Sequence, residues 1–143
     1  SIITTYNYNF FNMFKATMIA GLGGFFGTAL RFLSEKLGAL LCAGAFPLGT
    51  FIANMTGCLL IGIFYGWATK TNILSKNMNI FLITGLCGGF TTFSSFSDDM
   101  IQLLEKGDDI TFWLYMIGSL VFGIAMVALG IAAVRDKKAT AQA

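Results

Sequence analysis

Charged residues divide the chain into four long, mainly apolar stretches, residues 16–30, 37–69, 77–97 and 110–134. A helix that crosses a bilayer needs about 20 apolar residues. The last two stretches fit one helix each, whereas the second is too long for one. Because proline is tolerated in the first turn of a helix, we expect the second span to begin near Pro47. The pattern predicts spans at about residues 13–33, 47–69, 78–103 and 110–134, in an all-α membrane protein with a single domain over residues 1–143.

The first stretch is short, and we expect it to be extended at both ends. Lys15 and Arg31 border it, and their long side chains can carry their charges to the membrane interface. Residues 1–14 contain no positive charge, and no clear cleavage pattern follows the apolar run. We therefore interpret this segment as a retained span rather than a signal peptide.

The basic residues of the connections give a weak orientation signal. With four spans, both termini lie on the same side of the membrane. Six basic residues lie on that side, namely Lys15, Lys70, Lys76, Arg135, Lys137 and Lys138. Three lie on the other side, namely Arg31, Lys36 and Lys106. Three of the six lie in the C-terminal tail, so the count without the tail is three against three. Since an excess of Lys and Arg marks the cytoplasmic side, this chain could insert either way up.

Composition narrows the classes of function. Hydrophobic residues make up 56% of the chain and charged residues 11%, against roughly 25% charged residues in soluble domains. This balance excludes a soluble enzyme, a disordered chain and a nucleic-acid binder. Histidine, the commonest general base, is absent, so we expect no enzyme. The three cysteines lack metal-ligand spacing and are interpreted as small buried hydrophobic residues; they are Cys42, Cys58 and Cys87.

Small residues recur at helical spacing along three of the spans. The chain has 17 glycines, and such spacing allows helix backbones to approach closely. The stripes are Gly23 with Gly27, Gly49 with Ala53 and Gly57 (followed by Gly62 and Gly66), and Ser119 with Gly123. So many contact faces on four short helices predict an oligomer.

Polar residues inside the spans are the best indicators of function, because they are costly in hydrocarbon. Asn54 lies within the second span, one turn after Thr50 on the same face. Its position fits equally well a hydrogen bond to another helix and a contact with a permeating species. The third span reads Gly-Leu-Cys-Gly-Gly-Phe-Thr-Thr-Phe-Ser-Ser-Phe over residues 85–96. Adjacent glycines weaken a helix and hydroxyls satisfy the freed backbone groups, so we predict a break between Gly88 and Thr92.

Aromatic residues next to this break suggest an anion pathway. Phe93 and Phe96 share a helical face, and the positive edges of their rings could stabilise an anion without a fixed charge. Tyr115 and Ser119 lie one turn apart on the fourth span and could line the same pathway. Arg31 could attract anions to a vestibule or anchor the first helix at the interface.

Three motifs together resemble the CrcB/Fluc family of fluoride channels. They are Gly-Gly-Phe-Phe-Gly at 23–27 followed by Arg31, Pro-Leu-Gly-Thr at 47–50 followed by Asn54 and Gly57, and the segment 85–96. The resemblance covers about residues 16–134 and implies passive, fluoride-selective export across the inner membrane of a prokaryote. It also implies an antiparallel homodimer with dual topology and two fluoride pathways.

The same resemblance implies roles for particular residues. The pore-lining set would be Phe93, Phe96, Asn54, Thr50, Ser95, Ser119 and Tyr115, with Arg31 at the vestibule. The carbonyl oxygens of Gly88 and Thr91 from both subunits would hold a structural sodium ion. Gly123 stands where some members carry another hydroxyl. Alternatives are a small four-helix multidrug or cation antiporter, disfavoured because no acidic residue lies in the four uncharged stretches, and a membrane scaffold that transports nothing.

Overall fold

The computed structural model describes residues 10–134, and within that range every regular element is helical. Helix α1 spans Phe10–Leu41, and α2 spans Leu48–Gly66 and continues into a wide π-helical turn, Trp67–Thr71. Helix α3 covers residues 76–90 and includes a π-helical stretch, Ile80–Cys87. Helix α4 spans Phe93–Glu105, and α5 spans Asp109–Ala133. The basic residues Arg135, Lys137 and Lys138, which enter the orientation count, lie outside the described residues.

Four segments within residues 10–134 are long and apolar enough to cross a membrane, as predicted. They are Phe10–Leu41, Leu48–Thr71, Lys76–Glu105 (α3 with α4) and Asp109–Ala133. The first is longer than the predicted span of 13–33. Its 32 residues correspond to about 48 Å of helix, whereas the hydrocarbon core is about 30 Å thick. The charged residues 31–36 therefore extend the helix beyond the apolar stretch without ending it.

Glycine contacts hold α1 against α3. A Cβ atom at Gly23 would collide with the carbonyl oxygen of Phe81, and one at Gly27 would collide with that of Leu86. From the opposite helix, a Cβ at Gly85 would lie 2.6 Å from the carbonyl oxygen of Ala20. The stripe predicted on the first span thus lies in direct backbone contact with the third, as small residues in membrane helices allow.

A second set of close contacts joins α2 to α5. A Cβ at Gly62 would meet the carbonyl oxygen of Val127, and one at Gly130 would meet that of Leu59. The end of this pair is tied by Lys70, whose Nζ donates to the carbonyl oxygen of Ile131 at 3.1 Å. A cation near the last carbonyls of a helix is favourable. The α1–α3 and α2–α5 pairs thus form the body that holds the segment between α3 and α4.

Candidate functional site

The backbone leaves the helical conformation between α3 and α4. Thr91 has φ −79° and ψ 152°, and Thr92 has φ −149° and ψ 124°, so both are extended. Thr92 caps α4, because its Oγ1 accepts the backbone N–H of Ser95 at 3.1 Å. The Thr91 hydroxyl donates back to the carbonyl oxygen of Cys87 at 2.9 Å. Hydroxyl side chains therefore satisfy backbone groups on both sides of the two extended residues.

Asn54 on α2 binds this extended segment in a bidentate manner. Its Oδ1 accepts the backbone N–H of Thr92 at 2.7 Å, and its Nδ2 donates to the carbonyl oxygen of Thr92 at 3.0 Å. A side-chain amide thus replaces the intrahelical partners of the N–H and the C=O of one residue. Gly57, one turn later on α2, leaves room for the methyl group of Thr91. One face of α2 therefore supports the extended segment.

A cavity of about 270 Å³ opens beside the extended segment, and we call it the phenylalanine cavity. Four of the predicted pore-lining residues meet here, together with Thr91. The lining residues are Asn54, Met55, Cys58, Thr91, Thr92, Phe93, Phe96, Ser119 and Leu120. The ring centroids of Phe93 and Phe96 lie 5.9 Å apart with an interplanar angle of 41°. None of these lining side chains is ionised at neutral pH, while several carry hydrogen-bond donors.

A larger cavity of about 730 Å³, the entrance cavity, lies among the end of α1, the α1–α2 connection and α4. It receives two other predicted residues, Thr50 and Ser95. Its charged lining residues are Glu35, Asp98, Asp99 and Lys106. Arg31, the residue predicted for a vestibule, lies half-buried on α1 one turn before Glu35 and lines neither of the two cavities.

Tyr115 lies between the two cavities and is fully buried. Its hydroxyl donates to Asp99 Oδ2 at 3.0 Å, and its ring centroid lies 5.1 Å from that of Phe96. Its side chain thus connects a carboxylate of the entrance cavity with a ring of the phenylalanine cavity. The seven predicted pore residues therefore fall into three groups, in the phenylalanine cavity, in the entrance cavity and at Tyr115, rather than lining a single chamber.

Three residues of this site were not among the predicted pore-lining residues. Thr92 and Asp99 each pair with a predicted residue, and Glu35 accepts a hydrogen bond from the Ser95 hydroxyl at 3.3 Å. Asp99 follows Ser95 by one helical turn, and this spacing places it on the same face. Glu35 follows Arg31 by the same interval on α1, but its contact with α4 depends on tertiary packing that no local pattern shows.

The proposed sodium ligands lie at the end of α3. Gly88 is exposed on the last turn of α3, and Thr91 is the first extended residue after it. Residues 10–134 contain no cluster of three or more Cys, Asp or Glu that could hold a metal ion.

These features define a small multi-pass membrane protein in which side-chain hydroxyls and an amide support an extended segment of the third span. Comparison with known sequences identifies the family. The model of the family described as "CrcB-like protein, Camphor Resistance (CrcB)" matches residues 18–131. The chain belongs to this family.

Individual relatives agree with this assignment. A protein of Azobacteroides pseudotrichonymphae is 44% identical over 118 residues, which are 82% of this chain and 94% of the relative. Relatives from Flavobacterium psychrophilum and Phocaeicola vulgatus are 41% and 44% identical over 117 residues, covering 82% of this chain and 94% and 96% of their own lengths. All three are named fluoride-specific ion channel FluC. With four candidate spans and bacterial relatives, the chain is a multi-pass protein of a prokaryotic plasma membrane.

Proposed function

We propose that this protein is a passive, fluoride-selective channel that lets cytoplasmic fluoride leave down its electrochemical gradient. The observation that carries the proposal is the Asn54-bound segment beside Phe93 and Phe96, where hydrogen-bond donors and two phenyl rings line one cavity without an ionised group. The fluoride-specific relatives, at about 40% identity over most of the chain, support the same substrate.

Fluoride holds its water tightly, so a pathway must replace much of its hydration shell. Asn54 uses one amide hydrogen for Thr92 and retains a second one that can serve an anion. Ser119 on α5 also lines this cavity and offers a hydroxyl. The positive edges of the Phe93 and Phe96 rings add weak attraction. Weak contacts favour throughput, because an ion that binds too tightly does not leave.

We further propose that two copies form an antiparallel homodimer. Phe93 is 79% exposed in the single chain although it borders the cavity, so one wall of that cavity is open. A second copy against this side would close it and bury the ring. The near-even charge of the connections supports insertion in both orientations, which an antiparallel pair requires.

The hydrogen bonds around Thr92 support the sodium ion implied by the resemblance. In a continuous helix the carbonyl oxygen of Gly88 would accept the N–H of Thr92, and that of Thr91 would accept the N–H of Ser95. Here the Thr92 N–H goes to Asn54 and the Ser95 N–H goes to the Thr92 hydroxyl. The two carbonyls inferred as sodium ligands are thus among those at the break that have lost their helical donors. Two from each subunit could hold a central cation, and we propose that this ion is structural.

Fluoride flux from liposomes tests the proposed function. Purified protein is reconstituted into vesicles loaded with potassium fluoride, and valinomycin is added so that potassium can leave with the anion. We expect fluoride efflux that depends on the protein, and little chloride efflux from matched vesicles loaded with potassium chloride. Fluoride release no faster than from protein-free vesicles would refute the channel, and equal chloride release would refute its selectivity.

A further inference from the structure

The entrance cavity carries more negative than positive charge, although the proposed cargo is an anion. Its charged lining residues are the carboxylates of Glu35, Asp98 and Asp99 and the single cation of Lys106. Two of the carboxylates have hydrogen-bond partners on α4 and α5: Asp98 accepts from Gln102 at 2.7 Å, and Asp99 accepts from Tyr115. Glu35 differs from both because it comes from α1 and reaches across to α4.

The partner of Glu35 is a residue of the predicted fluoride path. The Ser95 hydroxyl has one hydrogen, and it points to Glu35 Oε1 at 3.3 Å. The same oxygen of Ser95 lies 3.3 Å from the hydroxyl of Thr92, the residue that Asn54 binds. While Glu35 holds the Ser95 hydrogen, that hydrogen cannot be donated to a passing anion.

Packing fixes the backbone that carries this carboxylate. The Cα of Glu35 lies 2.5 Å from the place where a Cβ of Gly49 would be, so α1 and the start of α2 are in direct contact there. Ser95 lies in the first turn of α4, on the side of that helix that faces the cavity. Glu35 is half-buried, and a charge that is partly shielded from water acts over a longer range than an exposed one.

We propose that Glu35 sets the rate of anion entry: its carboxylate, hydrogen-bonded to the Ser95 hydroxyl, acts as a fixed anion at the entrance and opposes anion entry by its charge. This inference rests on the proposed channel function. Glu35 would lower the rate of fluoride entry at low fluoride concentration without being part of the fluoride path itself. Because its charge affects entry rather than passage, this effect becomes smaller when fluoride saturates the pore.

Neutral variants test this role. Glu35→Gln removes the charge and keeps the shape and an acceptor oxygen, and it should raise fluoride efflux at subsaturating fluoride and low ionic strength by about three- to six-fold. The difference between the variant and the wild-type protein should shrink as ionic strength is raised with potassium gluconate, because salt screens the repulsion that Glu35 exerts in the wild-type protein. Glu35→Ala, a second neutral variant, should show the same gain and covers the case in which Glu35→Gln does not fold. Correct folding is checked by a symmetric peak in size-exclusion chromatography.

Two controls separate charge from geometry. Glu35→Asp keeps the charge on a shorter side chain and should give no gain. Glu105→Gln makes the same change at an exposed residue that ends α4 and does not line the entrance cavity, and it should leave efflux unchanged. Wild-type rates in both folded neutral variants at low ionic strength would overturn the proposal, as would an equal gain in Glu35→Asp. If the wild-type protein itself releases no fluoride, the channel function fails; if only the variants show no gain, this inference alone fails.

Discussion

Asn54 both binds the extended segment and lines a cavity, which leaves the two interpretations of its position compatible with each other. Its carbonyl oxygen and one amide hydrogen bind the backbone N–H and C=O of Thr92, and its side chain also lines the phenylalanine cavity. A hydrogen bond to a neighbouring helix and a contact with the pathway are therefore compatible. A buried backbone donor or acceptor left without a partner would cost roughly 1–3 kcal/mol, so Asn54 stabilises the conformation that forms the cavity wall.

The two phenylalanines next to this wall are the sharpest test at the residue scale. Phe93→Ile and Phe96→Ile keep apolar bulk but remove the ring edges, whose contacts are worth roughly 0.5–1.5 kcal/mol. Since 1.4 kcal/mol corresponds to a tenfold change in rate, we expect each variant to lower fluoride efflux by about three- to ten-fold. The measurement is efflux from liposomes at equal protein density.

A third phenylalanine supplies the control for this comparison. Phe25 on α1 is 68% exposed and lines neither cavity, so Phe25→Ile should leave efflux unchanged. Wild-type rates in both Phe93→Ile and Phe96→Ile would show that these rings are packing residues. A similar loss in Phe25→Ile would show that the substitution disturbs the helices in general.

At the scale of elements, hydropathy predicted the four spans because burial in lipid demands long uncharged stretches. The structural bounds, 10–41, 48–71, 76–105 and 109–133, differ from the predicted ones most at the end of the first span. There Arg31, Glu35 and Lys36 lie on the same continuous helix, since charged residues are compatible with helix beyond the hydrocarbon. The hydrogen bond between Glu35 and Ser95 joins positions 60 residues apart, and no local sequence pattern predicts such a contact.

The glycines between α1 and α3 allow a matched test of element packing. A Cβ at Gly27 would collide with backbone atoms of Leu86 and lie 2.8 Å from the backbone nitrogen of Phe90, whereas one at Gly21 would meet nothing within 4 Å. Gly27→Ala must push α3 away and should lower the free energy of unfolding by about 1–3 kcal/mol. Gly21→Ala should be neutral or stabilise by up to about 1 kcal/mol, because alanine favours helix.

Thermal unfolding in detergent, followed by circular dichroism, measures the difference between these two variants. The Gly27 variant should also lose fluoride efflux, because Phe90 ends the helix that leads into Thr91 and Thr92. Equal unfolding temperatures for the Gly21 and Gly27 variants would contradict the backbone contact between α1 and α3.

At the scale of the whole molecule, the single chain leaves its proposed pathway open on one side. Phe93 is largely exposed, and a Cβ on the exposed Gly88 would have no neighbour closer than 3.9 Å. Exposed apolar residues on other faces can contact lipid, but an extended backbone segment is tolerated at membrane depth only beside protein or water. The exposed residues Gly88 and Phe93, which flank the extended segment, are thus where the proposed second copy would pack.

The proposed sodium ion would be bound between two copies, so the effect of removing it is expected only in the assembled dimer. Its ligands would be backbone carbonyls of Gly88 and Thr91 whose helical donors are engaged elsewhere, so removing sodium should destabilise the pair and lower fluoride efflux. Protein purified and reconstituted with N-methyl-D-glucamine in place of sodium should lose most of its efflux and regain it when sodium is added to both sides. Radioactive sodium should not cross with fluoride, because a structural ion stays bound.

Thr91→Ser keeps both the carbonyl and the hydroxyl and should retain the wild-type sodium dependence. Full efflux after exhaustive sodium removal, or sodium transport in proportion to fluoride, would contradict the structural site and leave the two freed carbonyls to bind water or a donor from the second copy.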